Sequence, residues 1–553
     1  MKMKLSSAGT YAAVIALALS NAASAQWVAD PAVNVPVCVM SSSQQDQRIV
    51  TDGRGGAYIV WKDFRTDGLT ADIYAQRLDA AGNPKWALNG VPVVQLPGID
   101  ENAFTLTEDG EGGAIVAWED MRNANIDIYA QKIDSMGNMM WTANGVPVVT
   151  GIADQSGPKL IADGAGGAFI VWQDLQSGMW DIYAQRVNTS GITLWNAAGE
   201  AVCLAADNQI NPRIETDGRG GAVIAWQDKR STFDYDIYAQ RIDGSGASLW
   251  ASDGIAVCSV AGTQNNVKIR TDGIFGTILA WPDKRNGSDY DIYAQRLDSS
   301  GNALWSANGV AVCAAAGSQS AIDIASDNIS GAILAWKDFR SGLYSHIYAQ
   351  RIDLSGNMKW VSNGKLISAG TLSELNPNVI GDGAGGAILT WQDSSGTVSD
   401  VLSQRVDSSG ALKWAASGVQ VGTAADAQTS PKNVGDGSGG SIYVWQDFRN
   451  GADWDVYAHH LYSNGSYSGV GIAALSYAAS GISVFPNPAK DYIMIEGSAG
   501  SSAVSLKNIL GEEVANLVIP SGETVRLSLD GFPAGLYVLG LNNKNFIKIE
   551  KVK

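Results

Sequence analysis

The sequence predicts an all-β protein: an eight-bladed β-propeller with four strands per blade, followed by a smaller β-rich domain. One pattern recurs eight times and comprises a turn close to Asp-Gly-x-Gly-Gly, an apolar run ending in Trp, a polar turn, and a segment close to Asp-Ile-Tyr-Ala-Gln-Arg. A period of 54 to 57 residues between marker tryptophans is typical of repeat architectures such as propellers. These residues are Trp61, Trp118, Trp172, Trp226, Trp281, Trp336, Trp391 and Trp445.

Each copy divides into four short segments with strand chemistry. In the fourth copy, residues 212–216 alternate, and residues 222–226 form the continuous apolar run expected of a strand covered on both faces. Residues 236–242 supply a third strand and residues 249–257 a fourth. Clusters of Gly, Asp, Asn and Ser separate the segments, and none shows helical periodicity of useful length. Four strands per copy therefore predict a blade packed between two neighbours.

The two ends of the repeat array complement each other. Residues 27–38 match the fourth-strand element seen at residues 305–313, whereas the last copy lacks this element and runs into Gly-Ser-Tyr-Ser-Gly at residues 465–469. A closed ring would use this offset to assemble one blade from both ends, leaving no sheet edge open. An open array would need capping units, and two smaller rings would need a second phase break. The sequence favours one ring of eight blades.

The amino-terminal residues have the pattern of a secretory signal peptide. Lysines at positions 2 and 4 precede an apolar stretch at residues 11–19 and the small residues Ala23-Ser24-Ala25. This pattern predicts cleavage between Ala25 and Gln26. The apolar stretch is shorter than the roughly 20 residues that a membrane-spanning helix needs, and no later stretch approaches that length. The sequence therefore predicts an exported protein without a transmembrane helix.

Net charge argues against nucleic acid as a partner. The chain has 38 Lys and Arg against 55 Asp and Glu, which gives a formal net charge of −17 at pH 7. A surface of this charge repels phosphate backbones. We therefore expect no nucleic-acid partner.

The four cysteines occupy one place in the repeat. Cys38, Cys203, Cys258 and Cys313 each follow Val, in Pro-Val-Cys or Ala-Val-Cys. An even number of cysteines in an exported chain is compatible with disulfides. Equivalent positions on neighbouring blades lie far apart, however, and a disulfide needs Cα atoms within roughly 7 Å. We expect four unpaired, partly buried thiols.

Repeated acidic residues suggest three kinds of site, and for each the sequence favours a structural role. The turn at residues 52–56 resembles a phosphate cradle, but such a loop should open a helix and this one opens a strand. An Asp-x-Arg element follows the marker Trp in six copies, beginning with Asp63 and Arg65; one carboxylate per turn is too few for calcium. We therefore expect turn hydrogen bonding and Asp–Arg pairing, with no bound metal and no cofactor.

A second recurring Asp opens the third strand and raises the possibility of a glycosidase pair. It is present as Asp72, Asp127, Asp181, Asp236, Asp291, Asp400 and Asp455. Catalysis needs an acid and a base in different environments, whereas here almost every copy carries the same residues. Recurrence therefore points to structure, and the sequence favours a protein that is not an enzyme.

Residues that break the repeat are the places where function could lie. His346 replaces the usual Asp, His459 and His460 replace Gln-Arg, and Pro282 follows Trp281. With three histidines in the chain, a His-centred nucleophile or zinc site is not favoured, and His459 and His460 are interpreted as variants in the closing blade.

A group of aromatic residues lies just before the third strands. Aromatic rings repeated on one face of a ring would form stacking platforms for sugars or partner proteins. The alternative is that each ring covers the neighbouring blade. The candidate ligand-binding residues are Trp180, Tyr235, Tyr290, Tyr344 and Trp454.

The chain changes character after about residue 480, where Lys and Glu return and Trp disappears. Three blocks follow: Ser-Val-Phe-Pro-Asn-Pro-Ala-Lys-Asp at residues 483–491, Leu-Lys-Asn-Ile-Leu-Gly-Glu-Glu-Val at 506–514, and Gly-Leu-Tyr-Val-Leu at 535–539. Together with the Lys-rich residues 546–553, they resemble the type A C-terminal sorting domain of type IX secretion substrates in Bacteroidetes-like bacteria. The resemblance implies an immunoglobulin-like β-sandwich recognised by outer-membrane export machinery, and a cargo that is released or joined to surface lipopolysaccharide. The alternative is a small adhesive sandwich without an export role.

These observations define the expected organisation and function. We expect a signal peptide at residues 1–25, the propeller at 26–470, a linker at 471–481 and the sorting domain at 482–553. The predicted function is a secreted or cell-surface binding or structural module whose ligand is a glycan or a protein. The alternative is an extracellular carbohydrate-active enzyme, a glycoside hydrolase or lyase, on the same scaffold.

Overall fold

The structure is a computed structural model that describes most of the repeat array and the strands of the C-terminal segment. The described residues are 27–231, 234–329, 331–368, 370–394, 398–467, 483–485, 491–496, 502–508, 513–520, 524–533, 535–541 and 545–551. The predicted cleavage site at Ala25 and Gln26 and the predicted linker at 471–481 lie outside them. The chain divides into two compact units between Tyr467 and Ser468.

The first unit consists of four-stranded antiparallel sheets, which we number 1 to 8 in chain order. Sheets 1 to 4 comprise β2 Gln44–Thr51, β3 Ala57–Asp63, β4 Asp72–Leu78 and β5 Val91–Val94; β6 Glu101–Glu108, β7 Ala114–Asp120, β8 Asp127–Ile133 and β9 Val146–Val149; β10 Gln155–Ala162, β11 Ala168–Asp174, β12 Asp181–Val187 and β13 Glu200–Cys203; and β14 Gln209–Thr216, β15 Ala222–Asp228, β16 Asp236–Ile242 and β17 Ile255–Cys258.

Sheets 5 to 8 repeat this arrangement, and sheet 8 also contains the first strand of the chain. They comprise β18 Lys268–Thr271, β19 Thr277–Asp283, β20 Asp291–Leu297 and β21 Val310–Cys313; β22 Gln319–Ser326, β23 Gly331–Asp338, β24 His346–Asp353 and β25 Lys365–Leu366; β26 Ser373–Gly381, β27 Ala387–Ser394, β28 Ser399–Val406 and β29 Val419–Gly422; and β30 Gln428–Gly435, β31 Ser441–Asp447, β32 Asp455–Leu461 and β1 Val35–Cys38.

The second unit has seven strands among its described residues. The strands are β33 Ser483–Phe485, β34 Tyr492–Glu496, β35 Ser502–Asn508, β36 Glu513–Ile519, β37 Thr524–Ser528, β38 Gly535–Leu541 and β39 Asn545–Lys551. A three-stranded sheet has the order β33-β34-β37 and a four-stranded sheet the order β36-β35-β38-β39, and both are antiparallel. Ile493, Leu506 and Leu539 are among the residues of the buried apolar core of this unit.

The second strand of each repeat is buried on both faces. Every residue of β15 is buried, as is every residue of β7 and β19. Because alternate side chains of a strand point to opposite faces, an unbroken apolar run places apolar groups against both neighbouring sheets. The predicted all-β class and the recurring four-stranded sheets are confirmed, and the described residues contain no helix. The fourth strand is shorter than predicted: of residues 249–257, only those from Ile255 belong to β17.

An apolar cluster fills each space between consecutive sheets. Between sheets 3 and 4, for example, Val171 of β11 packs with Trp226 of β15 in one buried cluster. Sheets 8 and 1 share a cluster of the same kind, in which Val444 and Ala458 lie with Ile59 and Trp61. The first strand of each sheet also lies beside the first strand of the next, and β30 lies beside β2.

The two ends of the repeat array meet in sheet 8. Strand β1 pairs antiparallel with β32, with Val35 opposite Ala458 and Pro36 opposite Tyr457. Trp27 is 3% exposed and donates from Nε1 to the carbonyl oxygen of Ala80 at 2.9 Å. The residues predicted to complement the last repeat therefore lie beside its third strand.

One backbone hydrogen bond links consecutive sheets. The residue just before a third strand accepts from a Gln at or shortly before the first strand of the next sheet, as in Gln209 N–H to Trp180 O at 2.6 Å and Gln264 N–H to Tyr235 O at 2.7 Å. The same bond joins the last sheet to the first, from Gln44 N–H to Trp454 O at 2.6 Å.

Candidate functional site

The recurring Asp and Arg residues after the marker tryptophans form the predicted structural pairs. In sheet 1, both oxygens of Asp63 accept from Arg65, at 2.8 Å and 2.5 Å, and Trp61 Nε1 donates to Asp63 at 2.8 Å. The guanidinium of Arg65 also lies 4.0 Å from the ring centroid of Tyr74. Charge-assisted, bidentate bonds of this kind fix both side chains. The other pairs, at 2.5 to 2.6 Å, are Asp120–Arg122, Asp228–Arg230, Asp283–Arg285, Asp338–Arg340 and Asp447–Arg449.

The Asp-Gly-x-Gly-Gly element is a strand-connecting turn. Asp52 Oδ1 accepts from the backbone N–H groups of Arg54 at 2.8 Å and Gly56 at 2.7 Å. The φ of Gly55 is +84°, and a Cβ added at Gly56 would collide with the carbonyl oxygen of Leu78. The turn chemistry predicted for this motif is therefore confirmed. No group of three His, Cys, Asp or Glu side chains that could hold a metal ion occurs within the described part of the chain.

The four cysteines are free, as predicted, but more deeply buried than expected. Cys38 is 0% exposed, and Cys203, Cys258 and Cys313 are at most 1% exposed. The prediction of partial burial was wrong because each thiol is covered by the Asp–Arg pair of the following sheet, as Cys203 of sheet 3 is by Asp228 and Arg230 of sheet 4. Burial raises the pKa of the Cys38 thiol to about 12, so this group is a packed thiol and not a reactive thiolate.

The histidines occupy structural positions. His346 Nδ1 lies 3.1 Å from Glu374 Oε2, and His460 Nε2 lies 2.8 Å from Asp436 Oδ2. His460 thereby replaces the arginine that contacts the turn Asp elsewhere, and its ring stacks on Trp27 with centroids 5.6 Å apart. Burial lowers the pKa of His459 to about 4. Both histidines of β32 thus lie in sheet 8, the sheet that contains the amino-terminal strand β1.

Four of the five predicted aromatic residues occupy the same position in the repeat. Trp180, Tyr235, Tyr290 and Trp454 each directly precede a third strand and are partly buried. Tyr344 does not, because Ser345 lies between it and β24; its side chain is 39% exposed. The prediction that all five aromatics share one register was wrong at this residue.

Several of these aromatic rings pack against side chains of their own loop. The ring centroid of Trp454 lies 5.0 Å from that of Phe448, and the Lys284 ammonium lies 5.8 Å from the Tyr290 ring. Their backbone carbonyls carry the inter-sheet bonds described above. Each residue therefore has a structural contact as well as a partly exposed ring.

A cavity bordered by the first strands contains charged residues that the sequence analysis missed. Its volume is about 440 Å³, and sheets 1, 4, 5, 6, 7 and 8 contribute to its lining. Four of the lining residues are Arg48, Arg213, Lys268 and Lys432. We call this space the first-strand cavity.

A β-bulge turns one side chain of each first strand towards this region. The residue at the bulge has positive φ in every sheet, and the register with the second strand shifts there. The side chain two residues later is the equivalent position in all sheets. The bulge residues are Asp46, Ala103, Gly157, Asn211, Asn266, Ala321, Asn376 and Ser430.

The residue type two positions after the bulge residue differs between sheets, unlike the recurring Asp and Arg. Five sheets carry a cation there, one carries an acid and two carry neutral polar residues. In order, the residues are Arg48, Thr105, Lys159, Arg213, Lys268, Asp323, Asn378 and Lys432. We call Arg48, Lys159, Arg213, Lys268 and Lys432 the cationic cluster. Aligning the repeats at the first strand, not at the marker Trp, would have revealed it.

The cationic cluster has few carboxylate partners. Lys268 Nζ lies 3.8 Å from Asp323, whose other oxygen accepts from Asn378 Nδ2 at 2.7 Å. Among the described residues, no carboxylate lies within 4.0 Å of the charged groups of the other four cations. One layer further along, Arg270 pairs with Glu215 at 3.6 Å. The layer of equivalent positions therefore carries five positive charges and one negative charge.

The cations influence one another's protonation. Burial lowers the pKa of Lys159 to about 7, with further lowering by Arg213 and Arg48. Burial likewise lowers the pKa of Lys432 to about 8, although Asp323 opposes the shift. These interactions join residues of sheets 1, 3, 4, 6 and 8, so the side chains converge from different parts of the repeat array.

The C-terminal segment matches a known family. Residues 483–552 match the secretion system C-terminal sorting domain family, and the resemblance predicted from the three sequence blocks is thereby confirmed. The domain indicates a protein that is secreted or held at the cell surface and that engages type IX export machinery. No helix among the described residues is long and apolar enough to cross a membrane.

Solved structures with similar sheets are distant in sequence. A protein of unknown function from Dyadobacter fermentans DSM 18053 is 9% identical, with a TM-score of 0.34, over 55% of this chain and 93% of that one. An ulvan lyase of polysaccharide lyase family PL25 is 8% identical, with a TM-score of 0.39, over 68% and 92%. A Hadza microbial sialidase is 12% identical, with a TM-score of 0.34, over 62% and 75%. No curated protein sequence matches the chain.

Proposed function

We propose that the protein is a secreted binding module in which eight sheets close into one β-propeller and a glycan or protein ligand binds at one end of the first strands. In this proposal, residues 1–25 are the signal peptide, 26–470 the propeller, 471–481 the linker and 482–553 the sorting domain. Closure is supported by the backbone bond from Gln44 to Trp454, which repeats the bond between other consecutive sheets. The apolar cluster shared by sheets 8 and 1 supports it further.

One observation carries the binding function. Most of the acids that recur between repeats have structural partners, as Asp63 has Arg65 at 2.5 Å and Asp52 has Arg77 at 2.8 Å. The charged residues that vary from sheet to sheet instead line the first-strand cavity. Variation at one accessible opening of a rigid scaffold favours recognition of a ligand. Acids already engaged with arginines are poorly placed to serve as a general acid and base.

The ligand face is the end of the sheets that carries the loops before the first and third strands. Gln44 opens β2 opposite Asp63 at the end of β3, so the bulge residues and the aromatic loops lie at the same end of the strands. Met179 is 51% exposed and Leu343 is 75% exposed on these loops. Exposed apolar and aromatic side chains beside a cavity provide stacking and apolar contacts. Trp180, Tyr235, Tyr290, Tyr344 and Trp454 are therefore proposed to contact the ligand around the opening.

A glycan array and a pull-down with the full chain test this function. The expected result is binding to a defined glycan or protein that Trp180→Ala with Trp454→Ala weakens at least tenfold. The fold accepts small residues here, because Ala71 and Ser345 occupy the equivalent positions. Phe275→Ala is the matched control, since this 51% exposed ring lies on the turn at the other end of the first strand of sheet 5. Unchanged binding in the double variant would remove the aromatic surface from the proposal.

The alternative is a glycoside hydrolase or lyase on the same scaffold. Glu215 and Asp323 are carboxylates near the cationic cluster, and each already contacts a cation. Turnover of a polysaccharide by the purified full chain, lost on Glu215→Gln or Asp323→Asn, would replace the binding function with this one.

A further inference from the structure

We propose that the first-strand cavity binds a multivalent oxyanion, of the kind presented by the sulfate or carboxylate groups of an anionic saccharide. The inference rests on the proposed binding function and names the ligand chemistry of its central site. It follows from the position, pairing and replaceability of the cationic cluster.

The cluster is positioned by the scaffold and not by a flexible loop. Each cation lies two residues after a bulge whose backbone conformation recurs in all the sheets. Each first strand is hydrogen-bonded to the second strand of its sheet, which fixes the backbone positions from which the cations extend. Arg48 and Lys432 come from adjacent sheets 1 and 8, and Arg213 and Lys268 from adjacent sheets 4 and 5, so the cavity is bordered by cations from two separate groups of sheets.

The hydrogen-bond donors of the cluster are largely unused. Lys159 Nζ donates to the carbonyl oxygens of Gly157 and Pro158, at 3.3 Å and 2.8 Å, and Arg213 Nη1 donates to that of Pro212 at 2.9 Å. An ammonium has three N–H donors and a guanidinium has five. The contacts above therefore leave donors of Lys159 and Arg213 available, and their acceptors are uncharged backbone carbonyls. A ligand carrying several oxyanions would provide those acceptors from one molecule.

The cations are not required for packing. Thr105 and Asn378 occupy the equivalent positions in sheets 2 and 7, where the same bulge and the same strand pairing are present. Like charges held together in a partly desolvated space destabilise a protein, because each disfavours the charged form of the others. Five cations at positions that accept neutral residues therefore indicate a role outside folding.

The positive charge of the first-strand cavity differs in sign from the net charge of the whole chain. The formal net charge is −17, yet the layer of equivalent positions carries five cations and Asp323. A positive cavity with low-dielectric walls concentrates anions even when the outer surface repels them. A volume of about 440 Å³ is within the range of sites for small molecules and suits one charged end of a saccharide chain.

Binding of a sulfated dextran oligosaccharide to the full chain tests the inference, with inorganic sulfate and neutral dextran as parallel probes. We expect the sulfated oligosaccharide to bind, neutral dextran not to bind, and affinity to fall as salt increases. Lys159→Thr combined with Lys432→Asn should weaken binding at least tenfold, because each substitution removes charge-assisted hydrogen bonds to the oxyanions of the ligand. Competition by inorganic sulfate alone would identify a free anion as a sufficient ligand, and its absence would identify the saccharide.

The matched control removes two lysines elsewhere. Lys85 and Lys359 lie in exposed pairs with Asp79 and Asp353, each at 3.5 Å, at the other end of the sheets. Lys85→Met with Lys359→Met changes net charge by the same amount and should alter affinity less than twofold. Equal weakening in both double variants, or tighter binding of a polyglutamate peptide than of the sulfated oligosaccharide, would overturn the inference.

Proton uptake gives a second measurement that a purely structural role would not produce. The free Lys159 ammonium faces Arg213, Arg48 and Lys268, with Glu119 as the nearby acid, and its pKa is lowered to about 7. A bound oxyanion would raise this pKa, so binding at pH 8 should take up protons, and affinity should decrease as pH rises above 7. Calorimetry in buffers of different ionisation enthalpy measures the uptake, and Lys159→Thr should remove most of it.

The outcomes separate this inference from the proposed function. If a neutral glycan or a protein binds, depends on Trp180 and Trp454, and ignores the Lys159→Thr/Lys432→Asn variant, the binding function stands and the oxyanion site is wrong. If neither anions nor any ligand of the array bind, both are wrong.

Discussion

The Asp–Arg pairs after the marker tryptophans and the cationic cluster of the first-strand cavity both use charged residues at equivalent positions of the repeat. In the pairs, each buried carboxylate meets its arginine at 2.5 to 2.6 Å and also accepts from the marker Trp. In the cluster, four cations have no carboxylate within 4.0 Å among the described residues. The charged residues that are the same in most repeats are thus paired with an opposite charge, whereas most cations at the variable position are not. In this repeat protein, variation at an equivalent position is the better indicator of function.

The largest expected effect comes from breaking one neutralised pair. Asp228→Ala leaves Arg230 and the indole N–H of Trp226 without their acceptor, and both now contact the 0% exposed Asp228. Removing one partner of a buried pair costs about 3 to 5 kcal/mol. The free energy of unfolding measured in urea should fall by about that amount. A loss below about 1 kcal/mol would show that the pairs contribute little to the fold.

The next effect concerns a buried acid that no cation neutralises. Glu101 is 0% exposed and stands where sheets 1, 3, 4, 5, 6 and 8 have Gln. Burial, with Asp120 and Asp72 nearby, raises its pKa to about 9. Because the folded pKa exceeds the unfolded value, stability is lost as pH rises from about 4.5 to 9. Glu101→Gln should remove this loss and stabilise the protein at pH 8 by roughly 2 kcal/mol.

The junction of sheets 6 and 7 supplies the control for Glu101. There Glu374 also replaces Gln, but His346 lies 3.1 Å away and Ser368 donates to the same oxygen. Burial raises the pKa of Glu374 as well, but the contacts with Ser368 and His346 oppose the shift, so Glu374→Gln should stabilise the protein less than Glu101→Gln does. Comparing the urea unfolding of both variants at pH 6 and pH 8 checks the difference; equal gains would mean that His346 does not compensate Glu374.

A smaller effect should follow from removing one cation of the cluster. Lys159→Thr relieves repulsion from Arg213 and Arg48, so the ligand-free protein should gain about 1 kcal/mol at pH 7. The pKa of Lys159 is lowered from 10.5 to about 7, so the unfolded chain binds more protons between these values and stability rises with pH there. The variant should lose part of that rise. Thermal unfolding at pH 7 and pH 10 tests it, and destabilisation at pH 7 would assign Lys159 a structural role.

The smallest effect sets the baseline for the comparison. Lys359→Met removes an exposed ion pair, since the Lys359 and Asp353 side chains are 44% and 22% exposed. Exposed pairs contribute about 0 to 1 kcal/mol. The melting temperature should change by less than the difference between Lys159→Thr and the unsubstituted chain. A larger change would mean that the position of a charged residue in the fold does not determine its contribution to stability.

Most of the scaffold could be predicted because it repeats. Spacing from the marker Trp placed β16 at residues 236–242, and the turn at Asp52 followed from its Gly residues. Register errors arose where a pattern was matched by residue type. Tyr344 lies two residues before the start of β24 at His346, whereas Tyr235 lies one residue before the start of β16 at Asp236.

The cationic cluster could not be found from periodicity alone. It depends on a bulge whose left-handed residue is Asp or Asn in four sheets but Ala103 and Ala321 in two others. Alanine has no intrinsic preference for that conformation, so a single copy gives no local signal. The side chain that faces the cavity is fixed only once the register with the second strand is known, and the strands that bring Lys159 near Arg48 are distant in sequence.

The pairing of β1 with β32 has a consequence for how the chain matures. Val35 and Ala458 lie more than 400 residues apart in sequence, so the amino-terminal strand emerges first during synthesis and finds its partner last. Until then, the backbone N–H and C=O groups of β1 lack their hydrogen-bond partners in β32. Sheet 8 can therefore be completed only after the chain has been synthesised through β32, so its fourth strand must remain available while the other sheets form.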